Sequence, residues 1–104
     1  MAVVEISVVP LGTGNTSISS YVAACERELQ EHGKGLQYEL TAMGTIIEGN
    51  LDLIFKIIQR LHEVPFSEGA QRVSTSIRID DRRDKPGSIE QKVKSVEDKL
   101  NQSR

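Results

Sequence analysis

The sequence predicts an α+β domain: a split βαβ sandwich in the order strand, helix, strand, strand, helix, strand, with an extra C-terminal helix. Three observations predict it. Four short segments carry the alternation or the β-branched enrichment of strands. Two longer segments between them repeat apolar residues at three- and four-residue steps. A glycine joins the second and third strands closely enough to make an antiparallel hairpin. The 104 residues suit a single domain, 1–104, with one modest core.

The first strand runs from Val3 to Val9. Val4, Ile6 and Val8 point one way, and Val3, Glu5, Ser7 and Val9 the other. Pro10 has no N–H and is expected to end the ladder. The loop Leu11 to Thr16 follows, and Ser17 can cap a helix by accepting from an orphan N–H. That helix carries Ile18, Tyr21, Val22, Cys25 and Leu29 on one stripe. Gly33 is its expected left-handed stop.

Leu36 to Met43 alternates, with Leu36, Tyr38, Leu40 and Ala42 on one face. Gly44 permits the turn into Thr45-Ile46-Ile47-Glu48. Asn50 can cap the second helix, whose stripe is Leu51, Ile54, Phe55, Ile58 and Leu61. Leu53, Ile57 and Val64 form a second stripe beside it. So wide an apolar surface points to a contact beyond the sheet, such as another subunit. Pro65 is expected to end this helix. Arg72 to Asp80 is the clearest strand. Ser88 and Gln91 make a capping box for the last helix, with Ile89, Val93, Val96 and Leu100 as its stripe.

The two crossover helices cover one sheet face. The other is expected to carry Glu5, Ser7, Gln37, Glu39, Thr41, Ser74, Ser76 and Arg78, with Val3, Val9 and Met43 among them. A polar face of this kind is either solvated or forms a site or an interface between subunits.

Composition removes several functions. Thirteen Lys and Arg against fifteen Asp and Glu give a net charge of -2, so the basic footprint of a nucleic-acid binder is absent. RNA-recognition modules share this strand order but stack bases on aromatics, and this chain has two Tyr, two Phe and no Trp. No nucleic-acid partner is expected. One cysteine makes neither an internal disulfide nor, alone, a zinc site. No apolar run approaches the roughly 20 residues that span a bilayer, so no membrane partner is expected. The N-terminus lacks a basic n-region, which leaves the cytoplasm as the expected compartment.

The motifs are sparse. Gly12-Thr13-Gly14 lies between a strand and a helix, a context that suits anions, but it lacks the third glycine of a dinucleotide fingerprint and the Gly-Lys-Ser/Thr of a P-loop. A plain βα turn is the simpler reading, with Thr13 left to touch a ligand at the sheet's end. His62-Glu63-Val64-Pro65-Phe66 begins like a zinc-protease helix, yet Phe66 stands where the second histidine belongs. No metal is expected there. His62 and His32 read as helix-end residues whose imidazolium suits the dipole. Cys25 sits on an apolar stripe and reads as a small core residue without an adjacent base. Asp80-Asp81-Arg82-Arg83-Asp84-Lys85 lacks calcium-loop spacing and reads as a self-compensating loop or an interface. Glu48 closes an otherwise apolar strand. It is either a surface carboxylate or an acceptor for an amino-substituted ring or a cation.

Pro10-Leu11-Gly12-Thr13, Met43-Gly44-Thr45-Ile46-Ile47-Glu48-Gly49, His62-Glu63 with Phe66 and Gly69, and Arg72-Val73 through Ile77-Arg78-Ile79-Asp80-Asp81-Arg82-Arg83-Asp84-Lys85 resemble the small thiamine-binding (YkoF-like) protein family. The likeness covers nearly the whole chain. It implies a ferredoxin-like fold with a four-stranded antiparallel sheet. It implies a homotetramer, a dimer of dimers with sheets facing one another. Larger relatives carry two such domains and bind thiamine or its hydroxymethylpyrimidine part. The family is not known for catalysis, and no catalytic residues or cofactor are expected here.

Resemblance and residue chemistry meet at Thr13, Met43, Thr45, Glu48 and Arg78, expected to line a polar cavity on the open sheet face. An aminopyrimidine needs donors and acceptors on one edge and an apolar slot for its ring. Glu48 and Thr45 can supply the first, and Met43 or Tyr38 the second. The leading expectation is a non-catalytic binding protein for thiamine or hydroxymethylpyrimidine. The alternative is an oligomeric scaffold or regulator without a small ligand. An enzyme using the open sheet face ranks last, because Glu5 and Glu39 are the only candidate bases on it.

Overall fold

The computed structural model describes residues 1–12, 14, 19–84 and 89–102. Its elements are β1 (Ala2–Leu11), α1 (Ser19–His32), β2 (Gln37–Thr41), β3 (Gly44–Gly49), α2 (Leu51–Ser67), β4 (Arg72–Asp81) and α3 (Ile89–Gln102). The strands form one antiparallel sheet in the order β2-β3-β1-β4. This is the expected ferredoxin-like βαββαβ sandwich with an added C-terminal helix.

Register fixes the two faces. Val4 pairs with Ile47 and with Ile79, and Ile6 pairs with Thr45 and with Ile77. Side chains alternate, so these positions share the face that meets the helices. Ala2, Val4, Ile6 and Ile47 pack there against Leu29 of α1 and Ile54, Ile57, Ile58 and Leu61 of α2. Each fully buried aliphatic side chain contributes about 1.5–3 kcal/mol. The opposite face carries Glu5, Ser7, Gln37, Glu39, Thr41, Ser74, Ser76 and Arg78, as the alternation predicts.

Several expectations are corrected. β1 continues through Pro10 to Leu11, with Pro10 opposite Val73. Beyond Ser7, β4 lies on one side of β1 while β3 has ended, the edge setting in which a proline is tolerated. β2 stops at Thr41, so Ala42 and Met43 form the hairpin turn. Neither turn residue has a positive φ, so the turn is not of the primed type; Gly44 takes φ +154° instead. Gly35, not Gly33, adopts the left-handed conformation after α1. The second stripe of α2 is used inside the domain: Ile57 and Val64 are buried, and of that set only Leu53 is exposed. It therefore says nothing of another subunit.

α2 runs through Pro65 to Ser67. Asn50 caps its start, with Oδ1 accepting from Asp52 N at 2.9 Å and Leu53 N at 3.3 Å. The helix ends where Glu68 N donates to the Val64 and Pro65 carbonyls and Gly69 N to that of Phe66. Ser17 and the Ser88–Gln91 box lie outside the described residues or side chains.

Candidate functional site

A cavity of about 310 Å³ opens at the hairpin end of the sheet, between the helix-side face and α1. Ile6 and Val8 of β1 and Leu61 of α2 form its floor. Val22 and Cys25 of α1 form one wall, and Leu40, Met43 and Thr45 of the hairpin form the other. Thr45 brings a hydroxyl from the helix-side face, and no charged residue lines the cavity among the described residues. Binding cavities for small molecules are mostly apolar with a few placed polar groups and run about 300–1,000 Å³. This one is at the small end, suited to a single ring system. A larger hollow of about 650 Å³ lies along α1 and α2. It is lined by Glu28, Lys56, Gln59, Arg60 and Glu63 and is an open, charged groove rather than a slot for a ring.

The hairpin wall is held by local bonds. Thr41 Oγ1 donates to the Gly44 carbonyl at 2.8 Å and accepts from Met43 N at 3.3 Å. These contacts tie both ends of the turn to one side chain. Met43 stands at the cavity rim and is 81% exposed, so it is free to swing over an occupant. Thr45 is buried at the opposite end of the same wall.

The five expected site residues do not form one cluster. Met43 and Thr45 both line the hairpin cavity. Glu48 pairs with Val3 and Gln37, and Arg78 pairs with Glu5, which places both on the open face on the other side of the sheet. Two strands and two residues separate them, on the order of 12 Å from sheet spacing alone. Glu48 is buried. Thr13 lies outside the described residues.

Cys25 contributes to the wall and to α2. Its Sγ donates to the Leu61 carbonyl at 3.9 Å. Burial, reinforced by the Glu26 and Glu28 carboxylates, pushes the thiol up to about 11. It is thus protonated at neutral pH, a donor and not a nucleophile. Glu26, four residues after Val22, keeps Oε1 buried without a hydrogen-bond partner among the described residues. Glu26 is not among the residues of the apolar stripe of α1, and only the tertiary packing reveals its burial.

His62 departs from its expected helix-end setting, whereas His32 keeps it. His62 is interior to α2; its Nδ1 lies 2.7 Å from Thr75 Oγ1 and its ring meets Phe66 edge-on at 5.6 Å. It ties α2 to β4. His32 does end α1, but Arg60 Nη2 approaches its Nε2 at 2.8 Å. The Glu28 and Glu31 carboxylates each lie 3.8 Å from the same nitrogen. Arg60 Nε also bonds Glu28 at 3.0 Å. Among the described residues no group of three or more His, Cys, Asp or Glu side chains is placed to hold a metal. Among the described residues no helix is long and apolar enough to cross a membrane.

Comparison with known proteins agrees with the fold and names the family. The UPF0045 protein YqgV of Bacillus subtilis is 48% identical over 92% of this chain and 94% of its own length. A UPF0045 protein of Methanothermobacter thermautotrophicus is 41% identical over 96% and 100%. The crystal structure of protein MJ1052 from Methanocaldococcus jannaschii superposes with a TM-score of 0.80 at 38% identity, covering 91% of this chain and 94% of that one. The model of the family described as thiamine-binding protein matches residues 4–97, and the chain belongs to that family.

Proposed function

We propose that the chain is a non-catalytic binding protein for thiamine or its hydroxymethylpyrimidine part, acting in the cytoplasm as a homotetramer. The carrying observation is the hairpin cavity, an apolar slot with the Thr45 hydroxyl at one edge in a chain of the thiamine-binding family. The pyrimidine ring lies between Val22 and Cys25 on one side and Leu40 on the other. Thr45 bonds a ring nitrogen or the amino group, and Met43 folds over the ring. Glu48 and Arg78 serve the ligand by a separate route. Where the open faces of two copies meet, Glu48 accepts from an amino group and Arg78 completes the polar wall. Thr13, which follows β1 in the sequence, is proposed as a further ligand contact.

Paired substitutions separate the two locations. Thr45→Val removes a hydroxyl from the cavity, and Glu48→Gln removes charge from the open face. Calorimetric titration with hydroxymethylpyrimidine and with thiamine reads both. Loss confined to Thr45→Val places the ring in the hairpin cavity, and loss confined to Glu48→Gln places it between sheets. No heat with either compound for the parent protein would favour the scaffold reading.

A further inference from the structure

The helix layer is incomplete. α1 and α2 cover the sheet as far as β1, but the helix-side face of β4 is left open, with Ile77 45% and Ile79 42% exposed. α2 borders this strip and adds Phe55, 48% exposed, and Phe66, 38% exposed. The His62–Thr75 contact fixes how α2 lies along β4. From it, the helix rise places Phe55 about 10 Å toward the helix start, and the strand rise places Ile79 about 13 Å the same way along the antiparallel strand. Phe55, Ile77 and Ile79 therefore form one apolar strip, which Phe66 continues at the far end.

The same chain carries a matching apolar stripe without cover. Val93, Val96 and Leu100 of α3 are 53%, 58% and 60% exposed. These residues fall at three- and four-residue steps on one side of the helix. A helix of 14 residues is marginal in water unless its apolar side is packed. α3 is also not folded back on its own domain. The radius of gyration is 15.7 Å and the longest dimension 50 Å, whereas a compact chain of this length has a radius near ~13 Å. The helix is about 21 Å long, enough to cover the roughly 16 Å from Phe55 to Phe66.

We propose that α3 docks in trans, on the β4–α2 strip of a second copy of this chain, and that two copies exchange C-terminal helices reciprocally. The exchange supplies each domain with the third helix its layer lacks. One two-fold axis satisfies both strips and both stripes, leaving no open end for further addition.

Disulfide trapping tests this, because a bond forms only when the two Cα atoms come within about 7 Å. On a Cys25→Ser background, Ile77→Cys and Val96→Cys chains carrying different tags are co-expressed and oxidised. A covalent heterodimer carrying both tags is expected, with several-fold less covalent product from either chain alone. No heterodimer, or an internally bonded monomer when both cysteines sit on one chain, would overturn the exchange. As a second reading, Val93→Asp with Val96→Asp should lower the sedimenting mass of the parent assembly. An unchanged mass would also overturn it.

Discussion

The Cys25 thiol donates to the Leu61 carbonyl, the oxygen that Pro65 leaves without its usual helical partner. An i→i−4 bond to Leu61 would need an N–H at residue 65, and proline has none. A neighbouring helix supplies the donor, so α2 runs through the proline to Ser67. The same two residues, Cys25 and Leu61, line the hairpin cavity.

This relationship predicts a pH dependence. The folded thiol is raised from 9.0 to about 11 by burial and the nearby Glu26 and Glu28 carboxylates. The folded state holds this proton more tightly than the unfolded state. Its stabilising contribution is complete below pH 9.0 and falls as pH rises toward about 11. Thermal midpoints of the parent should fall more steeply across that window than those of Cys25→Ala. Parallel curves would show that the thiol does not titrate in this way.

Gly44 should resist substitution. Its φ is +154°, and a Cβ there would sit 2.6 Å from the Ile6 carbonyl oxygen, a backbone atom of β1. Gly44→Val is expected to cost ~1–3 kcal/mol. Denaturant unfolding measures it, and a midpoint equal to the parent's would refute the strain argument.

The Asn50 cap gives a smaller and cleaner effect. Its Oδ1 holds two backbone donors of the first turn of α2. Asn50→Ala should lose ~1 kcal/mol without changing the denaturant slope. Asn50→Asp retains the acceptor and should restore most of the loss.

Much of this architecture was legible because strand alternation and helix stripes are local signals. Val4, Ile6 and Ile47 announce the core face, and Asn50 announces a cap. What was hidden depends on neighbours. Pro10 and Pro65 read as stops because their missing N–H groups are visible in sequence, while the strand edge and the thiol that accommodate them are not. The site was legible only in part. Thr45 and Glu48 are three residues apart, and an odd separation on a strand sends them to opposite faces. Reading both as one cluster follows from the motif, whereas the pleat separates them. Leu40 and Val22, which complete the cavity wall, are ordinary apolar residues in sequence.

Calorimetric titration of hydroxymethylpyrimidine into the parent protein and Thr45→Val decides whether the hairpin cavity holds an aminopyrimidine ring. A hydrogen bond contributes about 0.5–1.5 kcal/mol net, and leaving a buried partner unpaired adds to the loss. Saturable binding at one site per chain is expected, with an affinity about tenfold weaker in Thr45→Val and both proteins melting alike in the absence of ligand. Equal affinities for the two proteins, or no heat at all from the parent, would contradict it.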